Sequence, residues 1–93
     1  MLATDLASDL CTGEYLQQWL SHTRARVRPK TYEGYEGVIR LYATPALGEI
    51  PLGSLHPLHL QNLYASLTGR GLAGGTVLNL HLVLTQALAQ AVR

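Results

Sequence analysis

Apolar residues recur along this chain at helical spacing, and each interruption of that spacing falls at a proline or a glycine. Tyr15, Leu16, Trp19 and Leu20 stand at i, i+1, i+4 and i+5, the stripe of one amphipathic helix. Tyr32, Tyr35, Ile39 and Tyr42 form a second stripe, and Leu60, Leu63, Tyr64 and Leu67 a third at i, i+3, i+4 and i+7. Val77, Leu80, Leu84, Leu88 and Ala91 form a fourth. No segment alternates with period two and no repeat appears. The pattern predicts an all-α fold, a compact four-helix bundle.

The breakers set the boundaries. Thr12 is placed to cap the first helix, which is expected to run from about 12 to 24. Pro29 suits the first position of the second helix, where a missing N–H costs nothing. That helix is expected to stop before Pro45, since proline disfavours helical geometry in the residue ahead of it. The stretch "PALGEIPLGSL" then reads as a connector. His56-Pro57 opens the third helix, Gly69 and Gly71 close it, and the fourth begins near Thr76. Leu2, Leu6 and Leu10 allow an extra short N-terminal helical turn.

Ninety-three residues, 47% of them hydrophobic and 14% charged, make a single globular domain, 1–93. The one cysteine, Cys11, has no partner for an internal disulfide, which fits a reducing compartment. The N-terminus lacks the basic start of a secretory signal, and no apolar run is long enough to span a bilayer. The expected location is therefore cytoplasmic, with no membrane partner.

Charge is informative through its distribution. The net charge is +1, yet four of the seven basic residues lie in "RARVRPK", residues 24–30, without an acid among them. Residues 50–93 contain no acid either. The cluster falls between two helices and at the start of the second, where free N–H groups and the helix dipole favour an anion. Lys30 and the Thr31 hydroxyl add donors in the first turn. Two readings follow: contact with nucleic-acid phosphates, or a solvated basic loop.

Lys30, Thr31, Gly34, Gly37, Val38 and Leu41 share the side of the second helix opposite its tyrosines. Two glycines inside a helix cost roughly 1 kcal/mol each relative to alanine. Close approach of a DNA backbone and close packing of another helix both explain them. On the fourth helix, Gly75 and Thr76 could hold a phosphate and Asn79 could reach a base edge, or all three form an ordinary first turn. Leu78 and Leu82 point away from the predicted core face and suggest a covered surface. His22, His56, His59 and His81 lack metal-ligand spacing, and His81 reads as a packed, hydrogen-bonded core residue. No nucleophile–base pair and no phosphate-cradling glycine loop is present. No catalytic residue, metal, cofactor or small-molecule substrate is expected.

The landmarks "EYLQQWL", "RPKTYEGY", "YATPALGEIPLGSLHPLHLQNL" and "GLAGGTVLNLHLVLTQALAQAV", in this order, resemble the N-terminal core-binding, SAM-like domain of the tyrosine recombinases, or phage integrases. The matching positions are Trp19-Leu20, then Pro29, Thr31 and Tyr35, then Pro45, Leu47 and Gly48, then His56-Pro57. The resemblance covers residues 12–93. It implies a SAM-like bundle that binds double-stranded DNA at the core recombination site, clamping the duplex from the face opposite the catalytic domain. It further implies, as partners, that catalytic domain and neighbouring recombinase subunits. Arg26, Arg28, Lys30, Thr31, Gly34, Gly75, Thr76 and Asn79 are the expected DNA-binding residues. The family's catalytic set lies in a following domain, which is expected to be absent from this chain, so the five tyrosines here are not candidate nucleophiles. His56, Ala73-Gly74 and Arg28 stand where the family favours better helix caps, each difference worth about 1 kcal/mol. The rival class is a helical protein–protein interaction domain without DNA binding.

Overall fold

The computed structural model describes residues 10–91 of the chain. Among them the secondary structure is helical, apart from one isolated antiparallel bridge between Cys11 and Pro51. The helices are α1 (Thr12–Arg24), α2 (Pro29–Val38), α3 (Thr44–Leu47), α4 (Pro57–Gly69) and α5 (Gly74–Ala91). A π-helical turn, Ile39–Ala43, joins α2 to α3, so residues 29–47 form one rod. Leu52–Ser54 add a turn of 3-10 helix in the connector. The four long helical segments of the sequence are therefore the four helices of a bundle.

The rod corrects the expectation that the second helix stops before Pro45. In a regular α-helix the Pro45 ring would strike the carbonyl of Leu41 and leave it without a donor. The wider turn accommodates the ring: the Thr44 N–H bonds to the carbonyl of Ile39, five residues back. Val38, expected on the outer side with Lys30 and Leu41, is buried beside Ile39 and Ala43, while Leu41 stays 55% exposed.

The core draws on every helix. Leu16, Trp19 and Leu20 of α1 meet Val38, Ile39, Ala43 and Leu47 of the rod, Leu63 and Leu67 of α4, and Leu80, Val83, Leu84 and Ala87 of α5. The tyrosines Tyr32, Tyr35 and Tyr42 line its edge, half-buried. Trp19 stacks on Tyr35 with ring centroids 5.7 Å apart. Val77 and Leu88 pack at the margin of the core, and Val83 and Ala87 replace them at its centre.

The start of α1 is fastened to the connector. Cys11, not Thr12, is the N-cap, and the Glu14 carboxylate accepts from the Cys11 N–H. Thr12 is fully buried inside the first turn, where its hydroxyl and its N–H both donate to the carbonyl of Ile50 at 2.8 Å. The Gly13 N–H donates to Gly48, and the Leu52 N–H to Leu10. Two orphan donors of the helix start are thereby satisfied by backbone carbonyls, which needs a small residue at 13. The expected turn around Leu2 and Leu6 lies outside the described residues.

Candidate nucleic-acid interface

Helix α1 ends at Arg24 because the chain turns there: Ala25 caps it and the Arg26 N–H donates back to the carbonyl of Thr23. Arg28 then adopts an extended conformation as N-cap of α2, followed by Pro29 at the first helical position. This local geometry spreads Arg26, Arg28 and Lys30 around the loop and the opening turn. All three are exposed, and none of their side chains makes a hydrogen bond or ion pair among the described residues. Thr31 is exposed in the same turn.

One turn further, Gly34 and Gly37 have open space around them: a Cβ built on either meets nothing within 4 Å. Packing of another helix among the described residues therefore does not account for them. Glu36, on the same helix, is held by Arg40 at 2.9 Å, and Glu33 is exposed. Near the cluster, Arg24 is set apart from the other cations, with its guanidinium carbon 5.4 Å from the centre of the Tyr32 ring.

The second group lies on α5, which packs against α2. The helix starts at Gly74, two residues earlier than expected, so Gly75 and Thr76 fall within its first turn. Gly75 is exposed, Thr76 half-buried and its N–H bonded to the carbonyl of Ala73, and Asn79 exposed. The N–H groups of a helix's first residues have no partner within the helix, so Gly74 and Gly75 offer donors. Within this span, residues 50–91, no acid opposes an anion.

A family model, Phage integrase, N-terminal SAM-like domain, matches residues 13–68. The chain belongs to that family. No curated protein and no solved structure matches it. The SAM-like domain is not the catalytic part of an integrase. Among the described residues no cluster of histidine, cysteine, aspartate and glutamate could hold a metal ion, and no helix is long and apolar enough to cross a membrane.

Three features of this SAM-like domain escaped sequence reasoning. His56 is a working cap: its Nδ1 accepts from the Leu58 N–H at 3.1 Å, and its own N–H donates to Nδ1 of His59 at 2.9 Å. The spacing of His56 and His59, three apart at a helix start, was the available signal. His81 is exposed instead of packed in the core; it meets Tyr64 edge-on, with Nδ1 3.3 Å from the hydroxyl. The third is a groove of about 420 Å³ between the rod and α4, with Leu41, Pro45 and Ala46 on one wall and His59, Asn62 and Arg70 on the other.

Proposed function

We propose that this chain is the DNA-binding module of a phage-type integrase, a site-specific tyrosine recombinase. It grips double-stranded DNA at the core recombination site, chiefly through phosphates, during DNA integration and recombination. Strand cutting belongs to a catalytic domain outside the domain described, and that domain and neighbouring recombinase subunits are its protein partners. The protein acts in the cytoplasm, without cofactor or small-molecule substrate.

The observation that carries this reading is the set of three exposed cations, Arg26, Arg28 and Lys30, around the N-terminus of α2, whose side chains have no partner among the described residues. They flank a helix start whose dipole already favours phosphate. Thr31 extends the set, and the open face at Gly34 admits a backbone that a side chain would keep away. On α5, Gly75 and Thr76 supply the second phosphate anchor, and Asn79 is the residue able to read a base edge, since its amide can pair bidentately with adenine.

The test is a chemical-shift map of the chain titrated with a duplex. The amides of residues 24–31 and 74–79 are expected to move. A duplex that moves no amide at millimolar concentration, or moves only other faces, contradicts the reading.

A second reading has its own support. Leu78 and Leu82, one turn apart on α5, are 56% and 51% exposed, on the side opposite the buried Leu80, Val83, Leu84 and Ala87. An apolar pair so placed favours a protein interface, and in that reading the domain is a helical interaction module. The same titration separates the two.

A further inference from the structure

We propose that Arg24 is the preorganised phosphate donor of the cluster and that Tyr32 is the residue that positions it; this rests on the DNA-binding reading given above.

The two residues belong to different helices. Arg24 is the last residue of α1, and Tyr32 lies in the first turn of α2, with its N–H bonded to the carbonyl of Arg28 at 2.9 Å. Between them run residues 25–28, the loop that carries Arg26 and Arg28. The Arg24 guanidinium sits over the Tyr32 ring at 5.4 Å, a cation–π distance. Tyr32 is itself fixed, half-buried against the core.

The contact leaves the side-chain donors unengaged: Arg24 is exposed and its guanidinium makes no hydrogen bond or ion pair among the described residues. A guanidinium carries its N–H groups in its own plane, so an aromatic ring can hold its face without taking up the donors that bind phosphate. Arg26, Arg28 and Lys30 have no such support and must be ordered when phosphate arrives. Arg24 has lost part of that freedom in advance. The contact also braces the ends of α1 and α2 against each other, which limits the motion of the loop between them.

Immobilising a long side chain at an interface costs enough to weaken binding by about three- to tenfold when it has to be done on association. Counterion release, in contrast, depends on how many phosphates are neutralised and not on how the cation is held. The two contributions therefore separate experimentally. Tyr32→Leu keeps every charge, so it should weaken duplex binding by about three- to tenfold at fixed salt with no change in the salt slope. Tyr32→Phe keeps the ring and should restore wild-type affinity. Arg24→Gln removes one contact and should flatten the log–log salt slope by about 0.9.

The experiment is a salt titration of the 93-residue chain and these three variants on one duplex, each checked by circular dichroism for full helicity, beside a variant with Arg26, Arg28 and Lys30 neutralised. If Arg24→Gln leaves the slope unchanged while the triple variant flattens it, the role of Arg24 is overturned and the DNA reading stands. If Tyr32→Leu binds as wild type, or Tyr32→Phe binds as weakly as Tyr32→Leu, the role of Tyr32 is overturned. If the triple variant also leaves the slope unchanged, the DNA reading fails and this inference fails with it. Arg24→Gln decides the role of Arg24 even where Tyr32→Leu is poorly folded.

Discussion

The hydroxyl of Tyr15 donates to the backbone carbonyl of Ala87, tying the first helix to the last across 72 positions of sequence. Ala87 is fully buried, and the half-buried phenol is held above its ordinary ionisation value of 10.0 by desolvation. Tyr64, beside His81, is raised for the same reason. Tyr15→Phe should cost about 1 kcal/mol, measured by chemical denaturation at neutral pH. The sign with pH follows from the raised values. The unfolded chain ionises its tyrosines first, so their contribution to stability is complete below the ordinary value and is lost as pH rises through the folded one. Wild-type thermal melts should therefore fall on the alkaline side of 10.0, and the double variant Tyr15→Phe/Tyr64→Phe should show a shallower fall.

Glycine substitutions should divide by position. At Gly48 an added Cβ would stand 2.5 Å from the carbonyl oxygen of Thr44, and Gly13 approaches Gly48 closely from the other side. Gly48→Ala should destabilise by about 1–3 kcal/mol. Gly34→Ala and Gly37→Ala meet open space within a helix, and each should stabilise by about 0.5–1 kcal/mol. The pair matters for function as well: a Gly34→Ala chain that is more stable yet binds duplex more weakly separates the open face from any role in folding. Denaturation midpoints and duplex affinities of the same samples provide the check.

The cap at His56 should be measurable. His56→Ala removes the acceptor of the Leu58 N–H and should cost about 1 kcal/mol, seen as earlier fraying of α4 in hydrogen exchange. Equal protection of the amides of Leu58 and His59 in both proteins would contradict it.

Asn79 is exposed on α5 and free to face a base edge. Asn79→Ala should lower discrimination between cognate and scrambled duplexes by roughly 1–3 kcal/mol while leaving affinity for scrambled DNA nearly unchanged. Competition binding with the two duplexes checks this.

Most of the fold was legible because the stripes are regular. Leu16, Trp19 and Leu20, Leu63 and Leu67, and Leu80 and Leu84 all stand at helical spacing and all are buried. The rod through Pro45 was not legible, since a proline reads as a stop and the π-helical turn that admits it depends on the packing of Ile39 and Ala43. Val38 stands three residues after Tyr35, so it borders the tyrosine stripe and turns inward with it. Thr12 was read as a cap because its hydroxyl suits one; its burial depends on a connector carbonyl, Ile50, 38 residues away. In the candidate site, the loop position of Arg26 and Arg28 followed from Pro29 and the end of the first stripe. The pairing of Arg24 with Tyr32 could not be read, because it joins two helices through a geometry that spacing alone does not define.

The central claim is that residues 24–30 grip phosphate, and the salt dependence of duplex binding tests it most directly. Two to four phosphate contacts give a log–log slope of roughly −2 to −4, with micromolar or weaker affinity for the isolated domain. Neutralising Arg26, Arg28 and Lys30 together should flatten that slope by about 3 at most and weaken cognate and scrambled duplexes alike, because phosphate contacts carry no sequence information. Identical slopes for the wild-type chain and the triple variant would show that the cluster is a solvated loop and would contradict the account.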